Sequence, residues 1–203
     1  KDEAKDAKDK IKELDPVKKA AERLEKENFQ EVKDSLKQAI EQMPDLKELS
    51  KHLIIDETPE GLRIQIVDQN NMSMFKLGDA EPLPQTKKLL DVVAKVIAKI
   101  PNKISVTGHT DSNQYKRTDY SNWELSTDRA NASRRVLESS GLDASRLIYV
   151  TGKSDTEPFV KNNPKADQNR RISIILHRMT PRILAIDSDS ESKPPASSAP
   201  TKP

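Results

Sequence analysis

Between His52 and Leu176 the spacing of the apolar residues switches repeatedly between two periods, which is the pattern of helices laid on one face of a sheet. Leu62, Ile64 and Ile66 alternate with Arg63, Gln65 and Val67, the two-residue period of a strand. Residues 52–57 pair with 62–67 as a hairpin around Pro59-Glu60-Gly61. Met74-Phe75 and Leu77-Gly78 are apolar enough to plug the space under a helix that starts near Pro82. That helix carries Leu89, Leu90, Val93, Val96, Ile97 and Ile100 on its inner face and ends at Pro101-Asn102. A strand over residues 103–109, a helix over 123–139 stopped by Gly141, and strands over 146–151 and 172–176 complete the order. The order ββαβαβ predicts a two-layer α/β sandwich.

The flanks read differently. From residue 2 to 43, Ile11, Leu14, Val17, Ala21 and Leu24, then Phe29, Val32, Leu36, Ile40 and Met43, recur at helical spacing. They predict two amphipathic helices, with Asp15-Pro16 opening the second, and Pro44-Asp45 restarting a short helix over Leu46 and Leu49. Such a stripe must be covered, either by the domain or by a second copy of the chain. Beyond Thr180, Pro, Ser, Asp and Ala dominate, and residues 188–203 are expected to be disordered. The expected division is an N-terminal helical arm over 1–51, a domain over 52–179 and a tail over 180–203.

Composition narrows the function. With 35 Lys and Arg against 33 Asp and Glu, the net charge of +2 provides no global field toward nucleic acid or an anionic membrane. The absence of cysteine excludes a disulfide scaffold and a thiolate metal site. No run of eighteen apolar residues occurs, and Lys1-Asp-Glu-Ala is neither a native-looking start nor a signal peptide, so the chain reads as an excised soluble fragment. No histidine spacing suits zinc, no glycine-rich phosphate loop is present, and no Ser or Cys nucleophile has a supporting motif. A noncatalytic protein without metal or cofactor is therefore expected. His109 and Asp111 invite a dyad reading, but His109 is more simply a half-buried strand residue bonded to nearby backbone.

The chemistry gathers between Gly108 and Arg135. A strand ends in Gly-His-Thr-Asp, a polar loop follows, and Asn122-Trp-Glu-Leu-Ser-Thr-Asp-Arg129 opens a helix. Asp111 and Arg129 face one cleft on this reading. A carboxylate near a guanidinium suits a zwitterion, because the first binds an ammonium and the second brackets a carboxylate. The plainer alternatives are a strand-end cap for Asp111 and a helix-face partner, Glu124 or Asp128, for Arg129, since surface ion pairs vastly outnumber ligand sites. Arg170 and Arg171 alternate faces at the start of the last strand.

These blocks resemble the OmpA-like peptidoglycan-binding family, in which a Thr-Asp after a strand and an Arg in Leu-Ser-x-x-Arg-Ala grip the diaminopimelate of cell-wall stem peptides. Thr110, Asp111, Leu125, Ser126, Arg129 and Ala130 are the matching residues, and Asn169-Arg-Arg-Ile-Ser173 looks like the closing strand. Residues 112–121 depart from the pattern, being longer and lacking a glycine after the Asp. Within that family, Glu60-Gly-Leu-Arg-Ile-Gln-Ile-Val-Asp68, Met74-Phe-Lys-Leu-Gly78 and the run from Tyr120 to Arg135 look most like the MotB type of flagellar stator subunit.

The resemblance implies a noncatalytic wall anchor in the periplasm. It further implies a homodimer, a MotA-type partner, and a membrane helix upstream of Lys1. Asp111 would take the ammonium and Arg129 the carboxylate, with the Thr110 hydroxyl beside them. Asn122 would cap the helix while steering Arg129 or the ligand, and Leu125 would floor the cleft. One of Arg170 and Arg171, here Arg170, would support the ligand while the other meets solvent. Trp123 is either a sugar-stacking residue or a lid on the core.

Overall fold

A computed structural model describes residues 2–69, 72–76, 78–113 and 119–179, with residues 2–15 as backbone only. A hairpin of β1 (Leu53–Thr58) and β2 (Gly61–Val67) is followed by α3 (Pro84–Ile97), β3 (Ile104–His109), α4 (Asn122–Ser139), β4 (Leu147–Gly152) and β5 (Arg171–His177). The order is the ββαβαβ read from the periodicity. The five strands stand as β1-β2-β5-β3-β4, and only β3 with β4 is parallel.

The strand alternation sorts the two faces of the sheet. Leu62, Ile64 and Ile66 of β2, Ile172, Ile174 and Leu176 of β5, and Ile104 and Val106 of β3 share one core with Leu89, Leu90, Val93 and Ile97 of α3. Met74 and Phe75 belong to the same core, pinned where Thr86 Oγ1 donates to the Met74 carbonyl at 2.6 Å. The other face carries Arg63, Gln65, Thr107, His109, Arg171 and Ser173, and among the described residues no helix lies over it. At the end of α4, Gly141 sits at φ +103°, and the Leu142 amide closes on the Leu137 carbonyl at 3.0 Å.

The arm departs from expectation. One helix, α1 (Asp2–Glu41), runs where two were predicted, with Pro16 inside it. An interior proline costs about 3 kcal/mol, and the Lys-, Glu- and Ala-rich residues on both sides are strong enough helix formers to carry the helix through it. The predicted restart at Pro44 is present as α2 (Pro44–Lys47), which leads through a 3-10 turn (Glu48–His52) into β1.

Half of the predicted stripe is core. Phe29, Val32, Leu36 and Ile40 are no more than 3% exposed and lie in the same cluster as the strands, whereas Val17 and Leu24 are 68% and 58% exposed. The buried Glu25 carboxylate fastens this part of α1 to the end of β5, accepting from the Met179 amide at 2.6 Å and Arg178 Nη1 at 3.1 Å. Ile40→Val should therefore cost about 1 kcal/mol, read as a lower urea midpoint with an unchanged slope. An unchanged midpoint would put α1 outside the cooperative unit. The expected tail over 180–203, and the side chains of Ile11 and Leu14, lie outside the described residues. No helix among the described residues is long and apolar enough to cross a membrane.

Candidate functional site

Close backbone approach builds the corner that carries the predicted site residues. Gly108 of β3 and Gly152 of β4 lie side by side in the parallel ladder, and both sit directly beneath α4. A Cβ on Gly108 would run into the Ser126 carbonyl, and one on Gly152 into Ser126 and Thr127. With no side chain between them, the first turns of α4 rest on the strand ends, and the loop carrying Thr110 and Asp111 emerges beside the helix start. The helix begins with a capping box: Ser121 Oγ accepts from the Trp123 amide at 3.2 Å, and the Glu124 carboxylate accepts from the Ser121 amide at 2.7 Å.

Asn122 is consequently not the cap. It is the first helical residue, and its Nδ2 donates to the carbonyls of Asp111 at 3.1 Å and Asn113 at 3.0 Å. It ties the loop to the helix. The signal for the true cap was legible as Ser121-x-x-Glu124.

Asp111 is 6% exposed and pairs with Arg170 rather than with Arg129. Arg170 Nη1 lies 2.6 Å from Asp111 Oδ2, Nε 2.7 Å from Asp68 Oδ2, and Nη2 2.8 Å from Asp167 Oδ1. Burial alone would lower the Arg170 pKa, but the hydrogen bonds to Asp68, Asp111 and Asp167 outweigh it and hold the pKa above its ordinary value. Asp68 is buried deeper. Its desolvation exceeds the help from Arg170 and the Met74 amide, so its pKa is raised. Asp68 and Asp167 are site residues that sequence reasoning missed: the partner of Asp68 lies 102 residues along the chain, and Asp167, three residues before Arg170, looks like any local surface pair.

Arg129 is 5% exposed. Its Nε donates to the Asp79 carbonyl at 2.9 Å and its Nη2 to the Lys76 carbonyl at 3.4 Å, with the guanidinium 5.0 Å from the Phe75 ring centre. Neither carboxylate of the plain alternative pairs with it: Glu124 serves the capping box, and Asp128 accepts from the Tyr120 hydroxyl at 2.6 Å. Burial lowers the Arg129 pKa, against the pull of Asp68 and, more weakly, Asp111. The group stays charged at any working pH. Nη1 has no acceptor among the described residues.

Thr110 directly follows β3. Its amide donates to the Ser154 carbonyl at 2.9 Å, while its Oγ1 is buried without a hydrogen-bond partner. Ser154 holds φ +52° to make that contact, a conformation that costs about 1 kcal/mol or more. Leu125 is 5% exposed yet outside the contiguous core. Trp123 is 53% exposed, so it is no core lid.

The structure ties Asn122 and Arg170 to Asp111 by hydrogen bonds, with Thr110 next to it in the chain and Arg129 on the same helix as Asn122. Two other expectations change. Arg171 does not meet solvent but is 8% exposed on the sheet face away from the helices, because the loop over residues 157–169 closes over it. Among the described residues the His109 ring makes no hydrogen bond to backbone or to Asp111, and its Nδ1 is buried without a partner. Among the described residues no group of three His, Cys, Asp or Glu is arranged to hold a metal.

Residues 74–171 match the family model described as OmpA family. Motility protein B of Escherichia coli strain K12 is 42% identical over 176 residues, covering 85% of this chain. The chain spans 57% of that relative's length. Among solved structures, the cell wall anchor of the type VI secretion system from Pseudomonas aeruginosa is 27% identical with a TM-score of 0.53, over 66% of this chain and 92% of that one. A MotB-like protein of Desulfovibrio vulgaris shares the fold with a TM-score of 0.64 at 18% identity, over 80% of this chain and 96% of that one.

Proposed function

We propose, for a chain whose residues 74–171 form an OmpA-family domain and which is related to motility protein B along most of its length, that it is the periplasmic wall anchor of a flagellar stator subunit. The domain binds peptidoglycan and catalyses nothing. It holds a membrane complex, formed with a MotA-type partner, against the cell wall, and it works as a homodimer. Kinship with a motility protein and likeness to a cell wall anchor support this reading.

The observation that carries the ligand assignment is the corner itself, where a buried carboxylate and a buried guanidinium stand on neighbouring elements. The ligand is the side chain of diaminopimelate, a zwitterion. Its ammonium goes to Asp111 and its carboxylate to Arg129, where Nη1 is the available donor. Thr110 Oγ1 gains the partner it lacks. Arg170 holds the Asp111 carboxylate in place through the bond at 2.6 Å, and Asn122 holds the loop backbone. Leu125 floors the cleft.

The test is pull-down with purified peptidoglycan. Hydrogen bonds to charged groups contribute about 1.5 to 3 kcal/mol each, so Asp111→Asn and Arg129→Ala should each weaken binding at least about tenfold. Circular dichroism separates lost binding from lost fold, which matters for Arg129 because it also clamps the Lys76 and Asp79 carbonyls. Wall carrying lysine instead of diaminopimelate lacks the side-chain carboxylate. It should bind weakly to the natural chain and no more weakly to Arg129→Ala. Wild-type pull-down by both variants would sink the site, and release of muropeptides from the wall would overturn the noncatalytic reading.

A further inference from the structure

We propose that the sheet face away from the helices carries a second ligand site, an oxyanion pocket centred on Arg171, separate from the wall-binding corner. A cavity of about 610 Å³ opens there, lined among others by Thr107, His109, Thr151, Lys153, Arg171 and Ser173. Arg171 is 8% exposed, lies over the Phe159 ring with its guanidinium carbon 5.9 Å from the ring centre, and makes hydrogen bonds only to neutral oxygens: Nε to Gln65 Oε1 at 3.1 Å, Nη1 to the Asn169 carbonyl at 3.2 Å, and Nη2 to the Glu157 carbonyl at 2.8 Å. Among the described residues it forms no ion pair. Buried charges in proteins are ordinarily paired, since an unpaired one bears its full desolvation cost. The other two cations on the cavity wall are already matched, Arg63 by Asp56 at 2.6 Å and Lys153 by Glu157 at 3.1 Å. Arg171 is the one without a direct ion pair: the carboxylate that acts on it across the cavity, that of Glu157, is bonded to Lys153.

A second observation points the same way. His109 is 4% exposed, lines this cavity, and keeps its Nδ1 without a partner, on the residue that faces Arg171 across the ladder. Beside it, Gln65 directs its Oε1 to two donors, Arg171 Nε and Ser173 Oγ, which leaves the buried Nε2 as an unsatisfied donor. Burial and the neighbouring cations keep His109 neutral, so one ring nitrogen carries a proton and can donate. An oxyanion seated against Arg171 would accept from the guanidinium hydrogens that have no acceptor and from His109, with the Thr107 and Thr151 hydroxyls within the same wall. The fork geometry of arginine suits a carboxylate or phosphate oxygen pair.

Amide spectra of the whole chain, in a zwitterionic low-salt buffer, are titrated separately with gluconate and with inorganic phosphate. Saturable shifts are expected at Thr107, His109 and Arg171 and not at Ala130 of the wall-binding corner. The ring nitrogens of His109 should move with the same curve. A response to gluconate alone assigns a carboxylate, and one to phosphate alone a phosphoryl group. Arg171→Gln, where its spectrum shows a folded chain, should weaken the response at least tenfold. Saturation of neither probe in the natural chain, read at the His109 ring without any substitution, would overturn the proposal. So would unchanged affinity in folded Arg171→Gln.

Discussion

Gly108→Ala and Gly152→Ala should each cost more than about 3 kcal/mol, although each adds one methyl group. Overpacking a core commonly costs about 1 to 3 kcal/mol when side chains can yield. Here the obstacle is backbone: the Ser126 carbonyl over Gly108, and the Thr127 amide together with two hydroxyls over Gly152. Relief requires α4 to lift off the sheet. Lifting it breaks the bond from the Ser154 amide to Ser126 Oγ at 3.0 Å, which braces the residue that in turn holds Thr110. It also moves Arg129 relative to Asp111, so wall binding should fall with stability. Gly141→Ala is the control. Nothing lies within 4 Å of its added Cβ, and its cost should be about 1 to 2 kcal/mol, arising from φ +103° alone. Urea denaturation that ranks the three variants equally would remove close approach as the reason these glycines are needed.

That pair illustrates what local sequence carries and what it cannot. Strand alternation at Leu62, Ile64 and Ile66, and helical spacing from Leu89 to Ile97, are written in neighbouring residues, so the element order was readable. Gly108 and Gly152 look scattered along the chain and become one feature only when β3 and β4 pair. The same holds for Arg170, whose partners Asp68 and Asp111 lie 102 and 59 residues away. Asp111 and Arg129 were legible because the loop and helix that carry them are adjacent in sequence. Their buried bonding was not, since a strand-end Asp and a helix Arg look alike whether they meet water or a carbonyl such as that of Asp79. Pro16 misled for the opposite reason. Its local preference for a helix start was overridden by the cohesion of its neighbours.

Acidification should destabilise the fold through one histidine, and His109→Gln should remove most of that sensitivity. Burial first, then Arg171 on β5, Lys153 after β4 and Arg63 on β2, push the His109 pKa from 6.5 down to about 3. The cavity also presents Glu60 and Glu157, which do not reverse the shift. An unfolded chain takes up the proton below pH 6.5, while the folded one resists it until about pH 3. The stabilisation from this group is therefore complete above pH 6.5 and drains away as the pH falls toward 3, on the order of 5 kcal/mol at its full extent. Asp68 works the other way. Its folded pKa is raised, so its protonation favours the native state, and its contribution is lost as the pH rises through that folded value. The two effects oppose each other on the acid side, and Asp68 blunts the loss caused by His109. In His109→Gln the acid loss that remains comes from carboxylates held below their ordinary pKa by partners, such as Glu57 by Lys33 and Asp91 by Lys95, and it sets in only near the carboxylate range. The urea midpoint should therefore fall far less between pH 6.5 and 5 than in the natural chain. Parallel acid profiles for the two proteins would mean that His109 is hydrated or paired in solution and contributes no proton linkage.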